Sequence, residues 1–139
     1  MSDISAVDHV VVAGPSLYQL ESWWRAKTGV TAHRGGSHPG VGTWNSLDSV
    51  GPTTYVELIA PDPAQPEPMF ERPFRIDRLS VPTLVTFAVA VPDLETMFVN
   101  KRLPDGWKTW KKSRLDWVRN TTALLISAGK EYRTLKQTR

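Results

Sequence analysis

Two segments of the chain spell nearly the same thing. HVVVAGPSL runs from His9 to Leu17, and TFAVAVPDL runs from Thr86 to Leu94, 77 positions later. Each opens with an apolar, largely β-branched run, which reads as a buried strand. A proline ends the run, and Ser16 or Asp93 can cap the helix-forming stretch that begins there. Val12 aligns with Val89, Ala13 with Ala90, Pro15 with Pro92 and Leu17 with Leu94. A strand-turn-helix opening used twice in 139 residues predicts duplication of a half-domain unit, the alternative being chance likeness. The copies differ at their first polar position, His9 against Thr86.

The first copy can be followed further. Gln19 stands three residues after Ser16, the spacing of a capping box. Leu17, Leu20 and Trp24 share a helical face, and Gly29 is a suitable stop. The glycine-rich stretch TAHRGGSHPGVG predicts a loop or wide hairpin. TWNSLDSV and TYVELIA predict strands, the second placing Tyr55, Glu57 and Ile59 on one face and Val56 and Leu58 on the other. The first unit therefore covers about residues 5–61.

Five of the eleven prolines fall in PDPAQPEPMFERP, which predicts an extended linker over about residues 62–80. A second unit comes next, over about 81–128, with a helix carrying Leu94, Met97 and Phe98 and a hairpin carrying Trp107, Trp110 and Trp117. TALLISAG is a strand or a helix; periodicity does not decide at that length. A basic tail covers residues 129–139. The fold class is α+β, a single domain of paired βαβββ units in a curved mixed sheet, with the second unit shortened or remodelled.

There is no cysteine, so disulfides, thiolate catalysis and zinc-thiolate sites are excluded. No run reaches the roughly 20 apolar residues of a membrane span, and MSDISAVDH lacks the features of a secretory leader. The expected location is the cytoplasm. Residues 1–100 carry a net charge of −5 and residues 101–139 a net of +8. That split suits either an acidic partner or a solvated C-terminal segment, and no nucleic-acid-binding motif accompanies it.

The blocks DHVVVA, GGSHPGVGTWNSL, YVELIAPDP and LVTFAVAVPDL, in that order, resemble the glyoxalase-like branch of the vicinal oxygen chelate superfamily. That superfamily includes glyoxalase I, extradiol dioxygenases and bleomycin-resistance proteins. The resemblance implies the βαβββ pairing, a pocket on the concave sheet face and a homodimer. In metal-dependent relatives each half gives one ligand from its first strand and one from its last. Carried over, these are His9 and Glu57, a set suited to Zn, Ni, Fe, Co or Mn. The second half departs: Thr86 stands where His9 does, and LLIS offers no carboxylate for Glu57.

Each candidate also has a plain structural reading. His9 is a metal ligand, a metal-free pocket wall, or a strand-start histidine bonded to backbone. Glu57 in mid-strand is a catalytic acid or base in a cleft, or an exposed or ion-paired carboxylate. His38 lies on a loop that can approach a ligand or face solvent. Thr43 and Asn45 line the cleft or make local bonds, and Thr86 joins them from the second half. Trp44 walls a pocket or packs in the core or an interface. Tryptophans interleaved with Lys and Arg can bind single-stranded nucleic acid, though hairpin packing suffices. The first reading is a small-molecule-binding protein with a pocket near His9, Trp44, Asn45 and Glu57 and no tightly bound cofactor. The alternative is a divalent-metal-dependent lyase, isomerase or dioxygenase using His9 and Glu57. A third is a basic interaction module in residues 101–139. No membrane partner is expected.

Overall fold

The computed structural model describes residues 6–52, 54–91, 107–109 and 123–127. Along the chain, β1 is Ala6–Ala13, α1 Leu17–Thr28, β2 His33–His38, β3 Thr43–Ser49 and β4 Tyr55–Pro61. A 3-10 segment, Pro73–Arg78, precedes β5, Thr83–Val91. The short strands β6, Trp107–Thr109, and β7, Ala123–Ser127, complete one mixed sheet of order β2-β3-β4-β1-β5-β7-β6. Within the ambiguous TALLISAG run, Ala123–Ser127 is thus a strand. The expected second helix, Trp110, Trp117 and the basic tail lie outside the described residues. Trp107–Thr109 pairs parallel with β7.

The likeness of the two openings extends to the register. β1 pairs antiparallel with β5, with Val10 opposite Phe87. A shift of 77 positions carries His9–Ala88 onto Val11–Thr86, Val7–Val89 onto Val12–Leu84, and Ala6–Ala90 onto Ala13–Thr83. The two register breaks obey the same rule: Asp8 is left without a partner on β5, and Val85 without one on β1. The halves meet about a local two-fold axis through the Val10–Phe87 pair. Beyond it, β4 runs parallel to β1 with Glu57 beside Val11, and β7 runs parallel to β5 with Leu124 beside Ala88. Leu124 is therefore the counterpart of Glu57. The second half is remodelled at its edge, where β6 is parallel to β7 while β3 is antiparallel to β4.

β1 and β4 are central, so both their faces are covered. On one face Val12, Val56, Leu58 and Ala60 pack against Leu17 and Leu20 of α1, with Trp23, Trp24 and Trp44 around them. Trp24 Nε1 donates to Asp48 at 2.8 Å, and Arg34 grips Glu21 through Nε and Nη2. Gly29 ends α1 at φ 75, a left-handed cap that a side chain would strain. Ser16 occupies the N-cap in extended conformation, but its side chain makes no capping bond. The capping box expected with Gln19 is thus not formed.

The proline-rich stretch is packed, not merely extended. Its prolines deny it regular ladders, but its side chains find the sheet. Ile76, fully buried, joins Val11, Ala13 and Ile59 on the face opposite α1, with Phe74 and Leu79 beside it. Arg72 donates to Gly42 O at 2.8 Å, to both oxygens of Glu67 and to Asp77. Phe74 and Arg75 take left-handed φ of 63 and 53. Each costs on the order of 1 kcal/mol, offset by the burial of Ile76. Burial pushes the Asp62 carboxyl up. Hydrogen bonds from Ser37, Gln65 and the Ala64 N–H, with His38 nearby, outweigh it and hold Asp62 below the usual aspartate range.

Two outcomes are expected. Ile76→Ala destabilises the protein by about 2–4 kcal/mol in urea titration. Because the folded-state Asp62 titrates low, its contribution is complete above about pH 4 and is lost as pH falls further. Asp62→Asn accordingly costs about 1–3 kcal/mol at neutral pH, and the difference from wild type shrinks in denaturation at about pH 3.

Candidate functional site

On the sheet face opposite α1 a polar cluster begins at the β1 bulge. Neighbours on a regular strand point to opposite faces, but a bulge re-aims one of them. Asp8 and His9 are both buried, and Asp8 Oδ2 lies 2.8 Å from His9 Nδ1. A carboxylate only accepts, so the ring proton on this edge sits on Nδ1. The imidazole also stacks on Tyr55, its cross-strand neighbour, at 4.6 Å between centroids and 12° between planes. Two contacts thus fix the ring, and its other nitrogen, Nε2, faces Glu57 Oε2 at 3.5 Å.

Glu57 is the centre of the cluster. It is 8% exposed, and its Oε1 accepts from Asn45 Nδ2 at 3.1 Å. The second Asn45 N–H points to His38 Nε2 at 3.2 Å, so that nitrogen accepts. His38 Nδ1 is then the donor to Thr43 Oγ1, at 2.8 Å. Asn45 Oδ1 accepts from the Gly36 N–H at 3.0 Å, which fixes the amide's orientation. The β2–β3 register jumps between Arg34 and Ser37, so Gly35 and Gly36 together oppose Asn45. A Cβ on Gly35 would stand 2.2 Å from Asn45 Oδ1. The glycine pair is what allows the asparagine to sit there.

The structure therefore brings together His9, His38, Thr43, Asn45 and Glu57, and adds Asp8, which sequence reasoning passed over. Thr86 is buried opposite Val11, on the same face of β5 as the His9 partner Ala88. Trp44 is separated from the others. It lies on the α1 face, edge-on to Tyr18 and 4.4 Å beneath the Arg34 guanidinium. Strand alternation forces this: Trp44 and Asn45 are neighbours on β3 and cannot share a face. Trp44 instead lines a cleft of about 330 Å³ with Tyr18, Asp62, Gln65 and Arg72.

Among the described residues, the donor set does not fit the resident divalent ion that the resemblance implies. His9 Nε2 and Glu57 converge, but Glu57 Oε1 is taken by Asn45. The two symmetry-related positions hold Thr86, a poor ligand, and Leu124, no ligand. Among the described residues no three His, Asp or Glu side chains are grouped as a metal requires.

The close approach at Gly35 has a measurable signature. Gly35→Ala displaces the Asn45 amide, and Asn45→Ala leaves Glu57 Oε1 and the Gly36 N–H unpaired; each costs about 1–3 kcal/mol. In the Asn45→Ala background the Gly35→Ala substitution costs much less, because its clash is gone. A double-mutant cycle by urea denaturation checks this coupling.

Comparison with known proteins agrees with the architecture. No curated protein sequence matches the chain. Among solved structures, methylmalonyl-CoA epimerase from Mycobacterium tuberculosis matches at TM-score 0.53 and 23% identity, covering 73% of this chain. The match spans 65% of that epimerase's length. A variant of the Streptomyces coelicolor methylmalonyl-CoA epimerase, in complex with 2-nitronate-propionyl-CoA, matches at TM-score 0.53 and 14% identity. It covers 91% of this chain and 99% of that one. At such identities the likeness speaks for the fold. Residues 7–123 match the sequence model of the glyoxalase-like domain. With this match over most of its length, the chain belongs to the glyoxalase-like domain family.

Proposed function

We propose that the protein binds a small molecule at the His9–Glu57–Asn45–His38 cluster, without a resident metal. One observation carries the reading. Glu57 sits in mid-sheet, its Oε1 is held by Asn45, and its Oε2 accepts no hydrogen bond among the described residues. The nearest ring nitrogens among the described residues are His9 Nε2 at 3.5 Å and His38 Nε2 at 4.0 Å, and no Lys or Arg there pairs with it. A carboxylate oxygen on the sheet face that the described side chains leave open can accept from a ligand that carries a donor. The side chains of His38 and Glu57 retain 22% and 11% exposure, so the cluster opens on the His38 side. The ligand-bound Streptomyces coelicolor neighbour supports a small-molecule role for this fold.

A second reading has one observation in its favour. A carboxylate behind a histidine, as Asp8 stands behind His9, is the usual outer shell of a metal-bound imidazole. On that reading His9 and Glu57 would serve a metal-dependent lyase, isomerase or dioxygenase.

Metal analysis separates the two. Protein purified with divalent zinc, nickel, iron, cobalt and manganese present is expected to hold far less than one ion per chain. Its thermal midpoint is expected to be unmoved by a chelator. A thermal-shift and NMR screen of small polar compounds is expected to yield binders that Glu57→Ala abolishes. About one ion per chain, lost in both His9→Ala and Glu57→Ala, would overturn the metal-free reading.

A further inference from the structure

Among the described residues, Phe74 and Arg75 are the only non-glycine positions with left-handed φ, at 63 and 53. They stand side by side, immediately before Ile76. Nothing in a phenylalanine or an arginine favours that conformation. What imposes it is the seat of Ile76, fully buried on Val11, Ala13 and Ile59. The chain is fixed on either side of this stretch. Arg72 is clamped to Gly42 O and Glu67, and Thr83 begins β5. Between these ends the stretch belongs to no strand of the sheet. Asp77 bonds Arg72 at 2.8 Å, Arg78 lies 3.6 Å from Glu71, and the Leu79 N–H meets Ile76 O at 3.1 Å.

The floor beneath Ile76 runs into the polar cluster. Val11 stands beside Glu57 in the β1–β4 register, and Ile59 follows Glu57 on the same face of β4, about 7 Å along the strand. We infer that Ile76 is a displaceable plug over an apolar subsite of the ligand pocket. Return of Phe74 and Arg75 to ordinary φ lifts it off. A ligand whose polar head sits at the Glu57–Asn45 cluster then lays an apolar arm on Val11, Ala13 and Ile59 in its place. The ligand class is an amphiphile, a polar head group bearing a short aliphatic arm. The inference rests on the ligand-binding reading above and deepens it. The energetics favour the exchange. The closed form buries Ile76 at the expense of two strained residues. An apolar arm restores the burial and leaves the strain released, so it selects the open form.

The test titrates the full chain with hexanamide and with acetamide, which share a head that both donates and accepts and differ in the arm. Methyl NMR reads Ile76, Ile59 and Val11. Hexanamide is expected to move the Ile76 methyl saturably to the position of an exposed isoleucine and to give cross-peaks from its arm to Ile59 and Val11. Acetamide is expected to leave Ile76 buried. The strain is then varied away from the ligand. Arg75 is exposed, and Arg75→Gly removes its left-handed cost, so the closed form gains and hexanamide binding is expected to weaken about fivefold. Asp77→Asn loosens the tie to Arg72, and Ile76→Ala truncates the plug; each is expected to tighten hexanamide binding about threefold or more. A merely structural strap would leave the affinity unmoved by Arg75→Gly.

An Ile76 methyl that hexanamide does not move overturns the inference, as does an Arg75→Gly affinity equal to that of wild type. If both amides perturb Glu57 and His38 alike while Ile76 stays buried, the plug falls and the ligand-binding reading stands. If hexanamide displaces Ile76 while Glu57 and His38 are unperturbed, the plug stands and the ligand-binding reading of the cluster falls. Should Ile76→Ala fail to fold, the wild-type titration with Arg75→Gly and Asp77→Asn still decides.

Discussion

The pairing of β1 with β5 is the constraint on which the rest depends. It joins the two halves, makes β1 central, and buries both of its faces. A central strand cannot shed a register error at an edge, so the irregularity at Asp8 must be absorbed in the core. Its two-fold repetition at Val85 shows that it belongs to the architecture and not to one half's chemistry. What the first half adds is a pair of side chains able to use it. Asp8 fills the bulge and turns the imidazole of His9 toward β4, where Glu57 stands beside Val11.

A second layer of constraint comes from β2 and β3. Two glycines opposite one asparagine bring backbone within reach of the amide and fix which end of it faces Glu57. The chain Gly36–Asn45–Glu57, with His38 and Thr43 alongside, is oriented along its whole length, since each donor has one acceptor to serve. Such a network resists reorganisation, because breaking one member leaves a buried neighbour unpaired. The Arg72-anchored segment closes the same sheet face further along, where Ile76 covers Val11 and Ile59.

Much of this was legible in the residues. The repeated strand-proline-cap openings pointed to two strands that match in register, and alternation in YVELIA correctly put Tyr55, Glu57 and Ile59 together. His9 and Glu57 stood out as polar groups in apolar strands, while Asn45 was read as lining the cleft or making local bonds. Asp8 did not, because alternation assigns neighbours to opposite faces and a bulge leaves no mark on composition. The same rule, had it been applied to β3, would have parted Trp44 from Asn45. The proline-rich segment was legible as irregular but not as packed. Proline content reports missing backbone donors, and says nothing of where a lone Ile76 finds its neighbours.

The two-fold bulge has a consequence for how such a site could be gained or lost. Val85, Thr86 and Leu124 occupy the places of Asp8, His9 and Glu57 in an equivalent backbone register. Functional polarity here is a matter of three substitutions laid on a duplicated frame, with no insertion needed. One lineage can therefore arm either half, or both, while the pairing that holds the halves together stays as it is.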